Sequence, residues 1–188
     1  MKSLRTFITV VDGFNYRIGR IIMYGIFAMM AVLLWSTISK FADQPSLWTL
    51  EVAQFGMIAY FFLGGPYAIQ MGSHVRMDLF YDDWSPKKKA TVDAIMVFCL
   101  LCYLGVLLWG GLSSTAYSLG YFGSEPLSFF FDLAIGEKET GRLERSRTIW
   151  RPYLWPIKSL MCVGILLMLA QALSELAKDV LRLRGEEV

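Results

Sequence analysis

The sequence predicts an all-α integral membrane protein with four transmembrane helices. Three observations carry this expectation. Of the 188 residues, 55% are hydrophobic and only 18% are charged, less charge than a soluble domain of this size usually holds. The apolar residues are gathered into runs long enough to cross a bilayer. The short charged stretches between those runs divide Lys and Arg unevenly between two faces.

The first span is expected at about 20–39, where Ile21 to Ile38 carries no charge. Before it, Leu4, Phe7, Ile8, Val11, Phe14 and Ile18 recur at three- and four-residue spacing. That stripe predicts an amphipathic N-terminal helix, either lying in the interface or extending the first span. The interruptions at Asp12, Asn15, Arg17 and Arg20 argue against a cleaved signal peptide, so this segment is read as part of the mature chain. The second span covers about 47–71. It carries Glu51 and Gln54 near its start, and Gly64-Gly65-Pro66 is expected to loosen its last turns.

The third span, about 91–118, follows "SPKKK". No charge occurs from Ala94 to Ser124. As one helix that run would be about 46 Å long, more than the roughly 30 Å of a hydrocarbon core, so the helix is tilted or stops near Leu112–Ser118. The fourth span, about 155–181, opens with Pro156 in its first turn and Lys158 placed to snorkel. It is expected to run on to Arg182 or Arg184. The connection at 120–154 should hold a short interfacial helix within "SEPLSFFFDLAIG", capped by Ser124 and stopped by Gly136. A solvated charged loop follows, and then "WRPYLWP", with aromatic residues suited to the membrane surface.

Four spans put both ends on one side. The N-terminal segment, the 72–90 connection and the C-terminus hold eleven Lys and Arg; the opposite connections hold six. In the longer of those, Glu125, Asp132, Glu137, Glu139 and Glu144 neutralise the cations. Both termini are therefore expected in the cytoplasm.

The same residues exclude several function classes. A net charge of +2 without a basic stripe argues against nucleic acid. No glycine-rich phosphate loop, Ser–His–Asp set or paired catalytic carboxylates occur, so the chain is not read as an enzyme. A single histidine cannot build a bis-histidine haem site. Cys99, Cys102 and Cys162 lie in apolar runs and read as small hydrophobes; the alternative for Cys99 and Cys102 is a thiol oxidoreductase pair. Neither cofactor nor metal is expected. His74, Arg76 and Asp78 crowd the turn "GSHVRMD", where a local structural or partner contact outweighs a metal site. Glu51 reads either as a structural carboxylate near Lys40 and Lys158, or as the proton carrier of a self-contained four-helix exporter.

Two stretches carry a family resemblance. "LEVAQFGMIAYFFLGGPYAIQMGSHVRMDLFYDDWSPKKKATVD" at 50–93 resembles the second helix, G-x-H-V-R-x-D turn and S-P-basic opening of the third helix in the small membrane subunit of tripartite ATP-independent periplasmic (TRAP) transporters, the DctQ-type family. "WRPYLWPIKSLMCVGILLMLAQALSELAKD" at 150–179 resembles that family's W-P-x-K start and its fourth helix ending in Q-x-L-x-E. The long connection at 120–149 departs from the usual family pattern.

The resemblance implies a bacterial inner-membrane subunit paired stably with a large DctM-type subunit, which would bind the sodium and the substrate. A periplasmic binding protein would deliver an organic acid and meet the complex transiently, and lipids would surround it. In that setting Glu51, His74, Arg76, Asp78, Trp150, Pro152, Trp155, Pro156 and Lys158 become structural or partner-contact candidates. Arg145 and Arg147 become candidates for contact on the outer face.

Overall fold

The computed structural model describes residues 2–72 and 86–183. The turn holding His74, Arg76 and Asp78 lies outside the described residues. Among the described residues there are six helices: α1 (Lys2–Ile22), α2 (Gly25–Phe41), α3 (Thr49–Gln70), α4 (Pro86–Ser118), α5 (Pro126–Ile135) and α6 (Trp155–Leu183). Four stretches among them are long and apolar enough to cross a membrane: Leu4–Phe41, Thr49–Gln70, Ile95–Ser118 and Trp155–Leu181.

The first of these is longer than the span expected at 20–39, because α1 runs into α2 through a single turn. Met23 N–H donates to the Gly19 carbonyl at 2.9 Å, and Phe27 N–H to the Tyr24 carbonyl at 3.1 Å. Both halves follow α3 in antiparallel register. Gly56 faces Met29, Gly25 faces Tyr60, Gly64 faces Ile22, and Gly19 lies against Tyr67. Of the two placements open to α1, an extension of the first span is the one found.

The spans form a row. α2 packs on α3, α3 on α6, and α6 on α4, while α1 seats itself against both α3 and α6. α3 and α6 run parallel, and each has an antiparallel neighbour on its far side. The N- and C-terminal helices meet at one end, here the terminal side; the 120–154 connection covers the other, the loop side. A row has no closed central core. Its largest apolar cluster, Leu104, Ile165 and Ala172, lies between α4 and α6. The outer faces of α2 and α4 stay bare, with Phe27, Leu34, Trp35, Phe98 and Val106 all exposed. Such faces suit lipid or a partner helix, not water.

Pro66 does not end α3, which continues to Gln70. Proline lacks the N–H that would have bonded the carbonyl four residues back, here that of Phe62. Gly164 of α6 fills this place: a Cβ there would come within 2.7 Å of the Phe62 oxygen. The glycine–proline segment thus serves close helix–helix approach more than loosening. Gly65 adds a second tight contact, against Met168.

α5 starts differently from the expectation. Glu125, not Ser124, is the N-cap residue, it makes no side-chain capping bond, and Pro126 occupies the first turn. The stop at Gly136 is as expected, with φ 83° in the left-handed region. Phe129 is buried against Ala116 and Leu119 at the end of α4 and stacks on Tyr121 at 4.6 Å. Phe131, on the opposite side of α5, is exposed.

Candidate functional site

Two polar assemblies interrupt the apolar row, one at each end. On the loop side, residues 141–154 fold back over the span ends instead of forming a solvated loop. Gly141 N–H donates to the Leu119 carbonyl at 2.9 Å, and Glu144 N–H to the Ser118 carbonyl at 2.9 Å. Gly120, at φ 90°, allows this approach, because a Cβ there would meet the Gly141 backbone at 2.7 Å. Arg145 and Tyr153 form an antiparallel bridge. Ser146 N–H donates to the Pro152 carbonyl at 2.8 Å and Leu154 N–H to the Glu144 carbonyl at 3.2 Å.

Two span side chains, Glu51 of α3 and Lys158 of α6, pin this cap, and Lys158 also reaches α4. Glu51, in the first turn of α3, is 2% exposed and accepts a hydrogen bond from Ser146 Oγ at 3.0 Å. Its Oε2 has no partner among the described residues. Lys158 of α6 pairs with Glu144 at 2.7 Å and donates to the Ser114 carbonyl of α4 at 3.3 Å. The pairing of Glu51 with Lys40 or Lys158 expected from the sequence is therefore replaced. Lys158 takes a carboxylate of the cap, and Glu51 takes a hydroxyl of the same cap. The Arg145 guanidinium lies over the Tyr153 ring at 4.4 Å and donates to its hydroxyl. Trp150 and Trp155 are both exposed, and Trp155 and Pro156 begin α6. On the far side of α5, the Lys138 amine pairs with Asp132 at 2.6 Å. That hydrogen bond raises the Lys138 pKa from the ordinary lysine value.

On the terminal side, α1 is tied to α6. Asn15 is 1% exposed and its amide donates to Gln171 Oε1 at 2.7 Å. Gln171 donates in turn to Asp12 at 2.9 Å, and Ser174 Oγ donates to the same Asp12 oxygen at 2.9 Å. Lys178 bridges Asp12 at 2.6 Å and Glu175 at 2.7 Å. Gln70 of α3 donates to the Asp12 carbonyl at 3.2 Å. The buried face of α1 therefore carries Ile8, Asn15 and Gly19 with Asp12 beside them, while Leu4, Phe7 and Phe14 of the expected apolar stripe are exposed.

This latch was missed in the sequence, although a signal existed. Gln171, Ser174, Glu175 and Lys178 fall at three- and four-residue spacing on one face of an otherwise apolar helix, and Asp12 and Asn15 share one face of α1.

Cys99 and Cys102 are free and exposed on α4. Cys162 is buried, with its sulfur 3.4 Å from Thr115 Oγ1. Glu51 lies at the end of a span, under the cap, and the cluster of Leu104, Ile165 and Ala172 between α4 and α6 is apolar. That arrangement does not favour the exporter reading of Glu51. What the two assemblies do is hold helix ends in register across a row that has little apolar core of its own.

The family comparison decides the class. Residues 29–182 match the family described as "Tripartite ATP-independent periplasmic transporters, DctQ component". The chain belongs to the DctQ family. The match starts inside α2 and takes in α3, α4, α5, the cap and nearly all of α6; α1 precedes it. No curated protein and no solved structure matches the chain. It is thus a component of a tripartite transporter, a multi-pass membrane protein, and of a family that is not one of enzymes.

Proposed function

We propose that this DctQ-family chain scaffolds the large, DctM-type membrane subunit of a sodium-coupled transporter that takes up an organic acid. The observation that carries the reading is the family match over residues 29–182. The row of spans is consistent with it: its outer apolar faces are available for lateral packing, and an apolar cluster lies between α4 and α6. Sodium and substrate would bind the large subunit, and a periplasmic binding protein would supply the acid. In this reading both termini face the cytoplasm, following the excess of Lys and Arg on that side, and the cap faces the periplasm of an inner membrane. Exposed Phe131 of α5, together with Arg145 and Arg147, would then meet the binding protein.

His74, Arg76 and Asp78 would shape the cytoplasmic turn or touch the large subunit. The test is co-purification of both membrane subunits from cells carrying Arg76→Ala or Asp78→Ala. The amount of assembled complex should fall while substrate affinity in the surviving complex stays unchanged. A loss of affinity with assembly intact would contradict the scaffold role.

A further inference from the structure

By composition, the loop-side connection looks neutral. Its geometry is not. Arg142, Arg145, Arg147 and Arg151 line one open cleft of about 840 Å³, with Tyr117 and Phe122 on its apolar wall. Two of the connection's five carboxylates are taken by lysines: Asp132 pairs with Lys138, and Glu144, which itself lines the cleft, pairs with Lys158. Arg142, Arg147 and Arg151 have no carboxylate within ion-pair distance among the described residues. Arg145 rests on the Tyr153 ring. Arg151 is moreover held at φ 50° immediately before Pro152, a conformation costing on the order of 1 kcal/mol or more. Four guanidiniums gathered in one cleft, whose single carboxylate is already paired with Lys158, repel one another, and a bound anion would lower that cost.

The depth of the cleft narrows the anion. Tyr117 sits in the last turn of α4, and Tyr153 two residues before α6. Exposed Trp150 and Trp155 mark the same level. Aromatic residues at span ends mark the headgroup layer of a bilayer. Tyr117 and Phe122 are both exposed and meet edge to face at 5.2 Å, an apolar wall beside the charged one.

The geometry points to a headgroup site for one anionic phospholipid in the leaflet on the loop side. The arginines take the phosphate, in the bidentate manner open to guanidinium groups, and Tyr117 and Phe122 flank the glycerol and upper acyl chain. The site requires only that the four helices cross a bilayer. A docked binding protein would compete with the lipid for Arg145 and Arg147, so the site is tested without one.

The test uses the full chain in nanodiscs of equal phosphatidylglycerol and phosphatidylcholine, without any binding protein. Retained lipid is read by native mass spectrometry. Phosphatidylglycerol should be retained in marked excess, and Arg147→Gln with Arg151→Gln should cut that excess about tenfold. Arg142→Gln, on another part of the lining, should act in the same direction. Lys40→Gln, on the same side but outside the cleft, should leave it unchanged. Equal retention of the two lipids, or an equal loss in Lys40→Gln, would overturn the proposal. A parallel arm adds inorganic phosphate to the chain in phosphatidylcholine alone. Stabilisation there, together with no phosphatidylglycerol excess, would assign the cleft to a soluble anion and overturn the lipid site.

Discussion

Glu51 is the residue whose surroundings are most unequal. One carboxylate oxygen takes the Ser146 hydroxyl and the other takes nothing among the described residues. A buried acceptor that loses its last donor costs about 1–3 kcal/mol. Ser146→Ala should therefore lower the thermal midpoint of the purified chain by several degrees. In a Glu51→Leu background, where no carboxylate remains to satisfy, the same change should do little. A double-mutant cycle isolates the coupling; equal losses in both backgrounds would mean that Ser146 acts through the cap alone. The sequence made Glu51 conspicuous but not its partner. Ser146 is a small polar residue 95 positions away in a run that reads as solvated loop, and only the folded cap brings the two together. Lys158 was legible as a snorkelling lysine at the start of a span. Its choice of Glu144 over Glu51 depends on the fold of residues 141–154, which hydropathy does not encode.

Between elements, the contacts divide into close backbone approach and polar ties. At Gly164 a Cβ would meet Phe62 at 2.6 Å, and the Phe62 atoms in reach include backbone that cannot yield as a side chain does. Replacing a helical glycine by alanine gains about 1 kcal/mol in propensity, but overpacking costs about 1–3 kcal/mol. The clash should win: Gly164→Ala is expected to lower the thermal midpoint, while Gly105→Ala and Gly110→Ala, which meet nothing nearby, should leave it unchanged or raise it. Equal behaviour of all three would refute the close approach of α3 and α6.

The latch on the terminal side makes a separate prediction. Gln171→Leu removes the bridge between Asn15 and Asp12 and leaves their polar groups buried without it. Amide hydrogen exchange in α1 should then quicken by at least about tenfold, with α4 unaffected. Unchanged exchange in α1 would mean that its apolar contacts suffice. Helix existence was readable from run length and periodicity, because a bilayer imposes both. Which face of α1 is buried was not. Of the expected stripe, Ile8 is buried and Val11 and Ile18 are half-buried, but Leu4, Phe7 and Phe14 are exposed, and the contact face turns toward Asp12 and Asn15, since in lipid apolar residues have no reason to hide and polar ones do.

At the scale of the whole molecule, the row of spans is the property that bears on function. A closed bundle would bury its apolar residues against itself; this chain leaves the outer faces of α2 and α4 uncovered and secures its ends with polar ties. Such an architecture needs lipid or protein along its sides, and the scaffold role proposed above would supply a protein partner there. The most direct measurement is purification of the tagged chain from native membranes in mild detergent, identifying every co-purifying protein with its stoichiometry. The scaffold account predicts one much larger polytopic membrane protein at one copy per chain. A chain that purifies alone as a small homo-oligomer would contradict it.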